Sequence, residues 1–138
     1  MTDLNTAKDG QVAERLASDL IIWLGTVRPD GRPHLVPVWF DWDGETMTIF
    51  SQPDNQKIRN LRHEPRVILS LDDTHGGGDV VLFEGEASLM DKPAADAMTD
   101  AYVTKYDAQM KQMNMEPVKM AAEYSQVIRI RPTRFMGW

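Results

Sequence analysis

Cysteine is absent from the 138-residue chain, which removes disulfides, thiolate nucleophiles and thiolate metal ligands together. Histidine is scarce: the three, His34, His63 and His75, show no i, i+4 pairing and no HExxH pattern, so no metal centre is expected. Long apolar runs are missing. The segment 20–24 falls far short of the roughly 20 residues that a membrane span needs, so no membrane partner is expected. An excess of positive charge is missing as well. The net charge of −6 disfavours nonspecific nucleic-acid binding, which runs on lysine and arginine. No GxSxG elbow and no phosphate-binding P-loop occur. Gly76-Gly77-Gly78 stands between two expected strands and reads as a hairpin loop rather than a phosphate cradle. The first 13 residues are polar and lack an apolar signal core. With no cysteine, this makes a cytoplasmic location the expectation.

What is present fits one globular domain over residues 1–138, with residues 1–8 expected as a flexible N-terminus. Hydrophobic residues make up 42% of the chain, enough for a single core. Residues 9–18 carry apolar groups at Val12, Ala13, Leu16 and Ala17, a helical spacing. A strand follows over 20–27, then the turn Arg28-Pro29-Asp30-Gly31, a strand over 33–42, the hairpin signal Asp43-Gly44, and a strand over 46–51. A short helix is expected over 55–63 and strands over 66–71 and 80–89. A helix opens at Asp91-Lys92-Pro93 and runs to about residue 110. A further helix begins after Pro117, and a last strand spans 126–131 with Pro132 near its end. Six closely spaced strands joined mostly by hairpins predict a mainly β, closed antiparallel barrel with flanking helices.

The most informative stretch is the strand–turn–helix passage from Ile49 to Leu61. Free N–H groups at a helix start attract anions, the Ser51 hydroxyl can donate, and Lys57 adds a full charge. Lys57 and Asn60, three apart, share a helix face. One reading is a phosphate clamp of Ser51, Lys57 and Asn60; the other is an ordinary amphipathic helix with solvated basic residues. Asp54 weighs against the clamp, since it can cap the helix itself and would repel phosphate. A second clue is Pro37 within Leu35-Val36-Pro37-Val38-Trp39-Phe40. A proline inside a strand implies an edge or a bulge, which leaves neighbouring backbone groups free for a ligand's ring edge. Four tryptophans supply core, interface or stacking surfaces. Met98, Met110, Met113, Met115 and Met120 read as core or dimer packing.

In this order and spacing, several segments together resemble the pyridoxamine 5′-phosphate oxidase-like split-barrel proteins. The segments are Leu24-Gly25-Thr26-Val27-Arg28-Pro29-Asp30-Gly31-Arg32-Pro33, Val38-Trp39-Phe40-Asp41-Trp42-Asp43-Gly44, Phe50-Ser51 through Lys57-Ile58-Arg59-Asn60-Leu61, Glu64-Pro65-Arg66-Val67, Gly77-Gly78-Asp79-Val80-Val81 and Ile128-Arg129-Ile130-Arg131-Pro132-Thr133-Arg134. Within that family the chain is similar to the branch of deazaflavin (coenzyme F420) oxidoreductases. The resemblance implies an FMN-binding type of split barrel, a homodimer with cofactor sites shared at its interface, and hydride transfer to or from a small organic acceptor. It implies ring contacts from Val36, Pro37, Val38 and Trp39 and phosphate contacts from the segment Ser51 to Lys57, Gln52 included, beside the Asn60 of the clamp reading. Gln56 stands where FMN proteins carry a second basic residue beside the lysine, and the short C-terminus differs from that of true pyridoxamine phosphate oxidases, which favours F420 over FMN and disfavours vitamin B6 oxidation. The rivals are an FMN-dependent reductase or oxidase on the same fold, and a non-catalytic flavin-, deazaflavin- or haem-binding protein. No residue is singled out as catalytic; Tyr102, Tyr106 and Tyr124 are the tyrosines weighed as proton donors.

Overall fold

A computed structural model describes residues 10–72, 76–77 and 79–137. The expected flexible N-terminus, His75, Gly78 and Trp138 lie outside the described residues. Seven strands form one antiparallel sheet: β1 (Ile22–Val27), β2 (Pro33–Val38), β3 (Asp41–Trp42), β4 (Met47–Ser51), β5 (Arg66–Leu71), β6 (Val81–Met90) and β7 (Gln126–Gly137). The helices are α1 (Gly10–Ser18), α2 (Gln56–His63), α3 (Ala94–Ala97), α4 (Asp100–Lys105), α5 (Asp107–Gln112) and α6 (Pro117–Glu123). The strand order β2-β1-β5-β6-β7-β4-β3 curls the sheet into a split barrel.

Side-chain alternation drives the curl. Ile22 and Leu24 of β1, Val67, Leu69 and Leu71 of β5, and Val81 and Phe83 of β6 all point inward. All five residues of β4 are buried, because both its faces are covered. Met47 and Ile49 join the barrel interior, while Phe50 joins a second cluster beneath the helices with Tyr102, Tyr106, Met110, Met120 and Val127.

The structure differs from the sequence reading in four places. The strand expected over 33–42 breaks at Trp39 and Phe40, giving seven strands rather than six. The Tyr106 hydroxyl holds that break: it accepts from Phe40 N–H at 3.0 Å and donates to the Leu20 carbonyl at 2.8 Å. The helix expected to run to residue 110 divides into α3, α4 and α5. Thr99 restarts the helix by accepting from Tyr102 N–H, and Tyr106 ends α4 and begins α5. The last strand continues past Pro132 to Gly137. Pro132 is tolerated there because the register slips between Glu84 and Gly85, and a bulge spares the N–H that proline lacks. Finally, α2 is capped by Asn55, whose side chain accepts from Ile58 N–H, and not by Asp54.

Candidate functional site

The break at Trp39-Phe40, the end of β4 and the helical layer enclose a cavity of about 340 Å³. Pro37, Val38 and Trp39 form one wall, with Phe50, Met120 and Tyr102 among the others. Among the described residues, Lys57 supplies the only formal charge on the lining. It has no ion-pair or hydrogen-bond partner among the described residues, and burial lowers its pKa below the ordinary lysine value. A half-buried ammonium without a counter-charge is costly, and an anionic group would offset that cost.

Trp39 is held rigidly. Its ring stacks on Tyr106 with centroids 4.4 Å apart and planes 3° from parallel, a geometry worth about 0.5–1.5 kcal/mol beyond area burial. Tyr106 in turn meets Tyr102 at 4.9 Å, and Tyr102 meets Phe50 edge-on at 5.0 Å. Burial raises the Tyr106 phenol well above its ordinary range, against the opposing pull of its Phe40 hydrogen bond. Behind this stack Lys105 Nζ donates to the Phe40 carbonyl at 3.1 Å and lies 3.7 Å above the Phe40 ring. Burial pushes the Lys105 pKa down to about 8, against the attraction of Asp41 and Asp19.

The eight residues singled out from sequence do not all meet here. Pro37, Val38, Trp39 and Lys57 line the cavity. Val36 faces the barrel and packs on its core. The Ser51 hydroxyl is buried and turned inward, donating to the Gln52 carbonyl at 2.8 Å. Gln52 is exposed. Asn60 is fully buried and spent on internal bonds: its amide donates to Thr26 Oγ1 at 2.9 Å and its carbonyl accepts from Gln56 at 2.7 Å. Asn60 therefore ties α2 to β1, and only Lys57 of the helical pair faces the cavity. Two lining residues that the sequence reading assigned to packing, Met113 and Met120, stand on the cavity wall. Tyr102 and Tyr124 also reach it, whereas Tyr106 is occupied by the strand break.

A second, more open groove of about 730 Å³ lies on the outer face of β1, β2, β5 and β6. Leu35 and Ile68 flank Gly25 there and are 62% and 45% exposed. Glu64, Arg66 and Glu86 also line it, a mixed-sign set around an apolar floor. Among the described residues, no three His, Asp or Glu side chains gather as metal ligands, and no helix is long and apolar enough to cross a membrane.

The donor set of the inner cavity, one ammonium, two phenols and an indole wall among apolar groups, fits a flat ring carrying a phosphate. Comparison with known proteins shows what the chain is similar to. The family model described as pyridoxamine 5′-phosphate oxidase matches residues 9–138. A solved structure named F420 reductase is 28% identical, covers 89% of this chain and 94% of its own, and superposes with a TM-score of 0.66. A conserved hypothetical protein from Mycobacterium tuberculosis is also 28% identical, with coverage of 94% and 83% and a TM-score of 0.76. The haem storage protein of Vibrio cholerae shares the fold at 15% identity, with coverage of 94% and 93% and a TM-score of 0.66. No curated protein matches the chain.

Proposed function

The chain belongs to the pyridoxamine 5′-phosphate oxidase family, and on that premise we propose that it is an oxidoreductase that binds coenzyme F420 in the cavity beside Lys57. The observation that carries this reading is the unpaired, half-buried Lys57 ammonium facing an apolar cavity walled by Trp39. A phosphate would meet Lys57, and the ring would lie against Pro37, Val38 and Trp39. Similarity to an F420 reductase over most of both chains favours the deazaflavin over FMN, as does Gln56 beside Lys57.

The bound cofactor supplies the hydride chemistry. The chain's own contribution is to bind, to orient and to exclude water from the reacting face. Trp39, fixed by its stack on Tyr106, sets the plane of the wall. Lys57 fixes the phosphate end. The acceptor is a small organic molecule. The working form is a cytoplasmic homodimer that shares its sites. The exposed Leu35 and Ile68 beside Gly25 give a second copy an apolar floor to cover, and a partner chain would close the cavity mouth.

Titration of cofactor-free protein with coenzyme F420 and with FMN, followed by cofactor fluorescence, tests the reading. Micromolar or tighter binding of F420 with FMN much weaker is the expected result. Preference for FMN would move the protein to flavin chemistry on the same fold, and binding of neither would remove the oxidoreductase reading.

A further inference from the structure

We propose that Tyr102 is the hydrogen-bond donor of the inner cavity, its phenol O–H bonding a heteroatom on the edge of the ring bound there. The proposal rests on the cofactor reading above and adds to it a second polar contact, separate from the Lys57 charge.

Three observations carry it. Tyr102 is 2% exposed and lines the cavity, yet its hydroxyl makes no hydrogen bond among the described residues. Among the described residues, the side-chain atoms that are fully buried without a partner are His34 Nδ1 and Gln109 Oε1. The Tyr102 oxygen is not one of them, so it opens onto the cavity space rather than into packed core. The ring is clamped, edge-on to Phe50 at 5.0 Å and tilted on Tyr106 at 4.9 Å, so the hydroxyl cannot swing to another partner without breaking both contacts. A phenol held this way lacks a partner in a largely desolvated place, a cost that a ligand atom relieves.

The other two tyrosines do not meet these conditions. The Tyr106 hydroxyl is consumed by Phe40 and Leu20. Tyr124 is only half-buried, so water can satisfy it. Burial, with the nearby Tyr106, Asp41 and Tyr124 adding to it, holds the Tyr102 proton well above the ordinary phenol range. Tyr102 therefore acts as a donor at any working pH and not as a base.

The test compares wild type, Tyr102→Phe and Lys57→Ala in titrations with coenzyme F420 and with its phosphate-free deazariboflavin, read by fluorescence and by the absorption band of the bound ring. Tyr102→Phe should raise Kd for both probes by about 5- to 20-fold and shift the bound absorption band, while its thermal midpoint holds or rises because an unpartnered hydroxyl is gone. Lys57→Ala should weaken F420 and leave the phosphate-free ring unaffected. Unchanged affinity and an unchanged band in Tyr102→Phe, with F420 still weakened in Lys57→Ala, would overturn the Tyr102 assignment and leave the cofactor reading standing. Failure of the wild type to bind either probe would overturn both.

Discussion

The interior of the barrel and the space between β4 and the helices are built from similar apolar residues, yet the Thr26–Asn60 pair of the one is satisfied within the chain while Lys57 and Tyr102 of the other face open space. Inside the barrel side, Thr26 and Asn60 are buried and bonded to one another at 2.9 Å. The Asn60 carbonyl takes its second partner from Gln56. On the helical side, Lys57 and Tyr102 face a cavity with neither charge nor hydroxyl paired among the described residues. Buried polar groups are ordinarily satisfied; Thr26 and Asn60 follow that rule, whereas Lys57 and Tyr102 depart from it beside open space, as groups shaped for something that arrives later would. The difference separates stability from binding within a chain of 138 residues, with β4 serving both sides at once.

Variants on the two sides should therefore break different properties. The largest effect is expected from Lys57→Ala, which should weaken coenzyme F420 by about 1.5–3 kcal/mol, roughly 10- to 150-fold, without lowering the urea midpoint. Loss of stability instead would place Lys57 with the structural groups. Gly85→Ala is the counterpart on the barrel side. Its Cβ would come within 2.9 Å of both the Arg131 carbonyl and Ile130, at the register slip that admits Pro132. A loss of about 1–3 kcal/mol in urea unfolding is expected, with F420 affinity retained in the folded protein.

Tyr106→Phe sits at the border between the two regions. It deletes the hydroxyl that holds Phe40 N–H and the Leu20 carbonyl but keeps the ring stacked on Trp39. Stability should fall by about 1–2 kcal/mol while F420 affinity changes little; a large affinity loss would mean that the strand break, and not the stack, shapes the wall. The smallest effect concerns pH. Burial holds Lys105 at about 8 in the folded chain against 10.5 ordinarily. Between those values the unfolded chain binds more protons, so this group makes stability rise with pH across that window. Thermal midpoints of Lys105→Met should show a flatter rise between about pH 8 and 10.5 than wild type.

Much of the barrel was legible because its signals are local. The strand Arg66–Leu71 follows from β-rich residues bounded by Pro65, and the turns at Gly31 and Gly44 do adopt the positive φ that glycine tolerates. Lys57 stood out because a strand–turn–helix passage attracts anions on general grounds, and the structure places it on the cavity lining. What the sequence did not disclose is which polar groups would find partners far along the chain. Asn60 looked like a ligand-facing neighbour of Lys57, but its partner Thr26 lies 34 residues away. Tyr106 looked equivalent to Tyr102 and Tyr124 until its bond to Phe40, 66 residues away, removed it from the cavity. The break at Trp39-Phe40 depends on that same distant hydroxyl, so no pattern within residues 33–42 announces it.

The most direct test of the central claim is a crystal structure of the protein with coenzyme F420 bound. The account predicts a phosphate oxygen within hydrogen-bond distance of Lys57 Nζ and the deazaflavin ring against Pro37, Val38 and Trp39. A ring lodged instead in the outer groove beside Gly25, Leu35 and Ile68, with Lys57 unengaged, would contradict it.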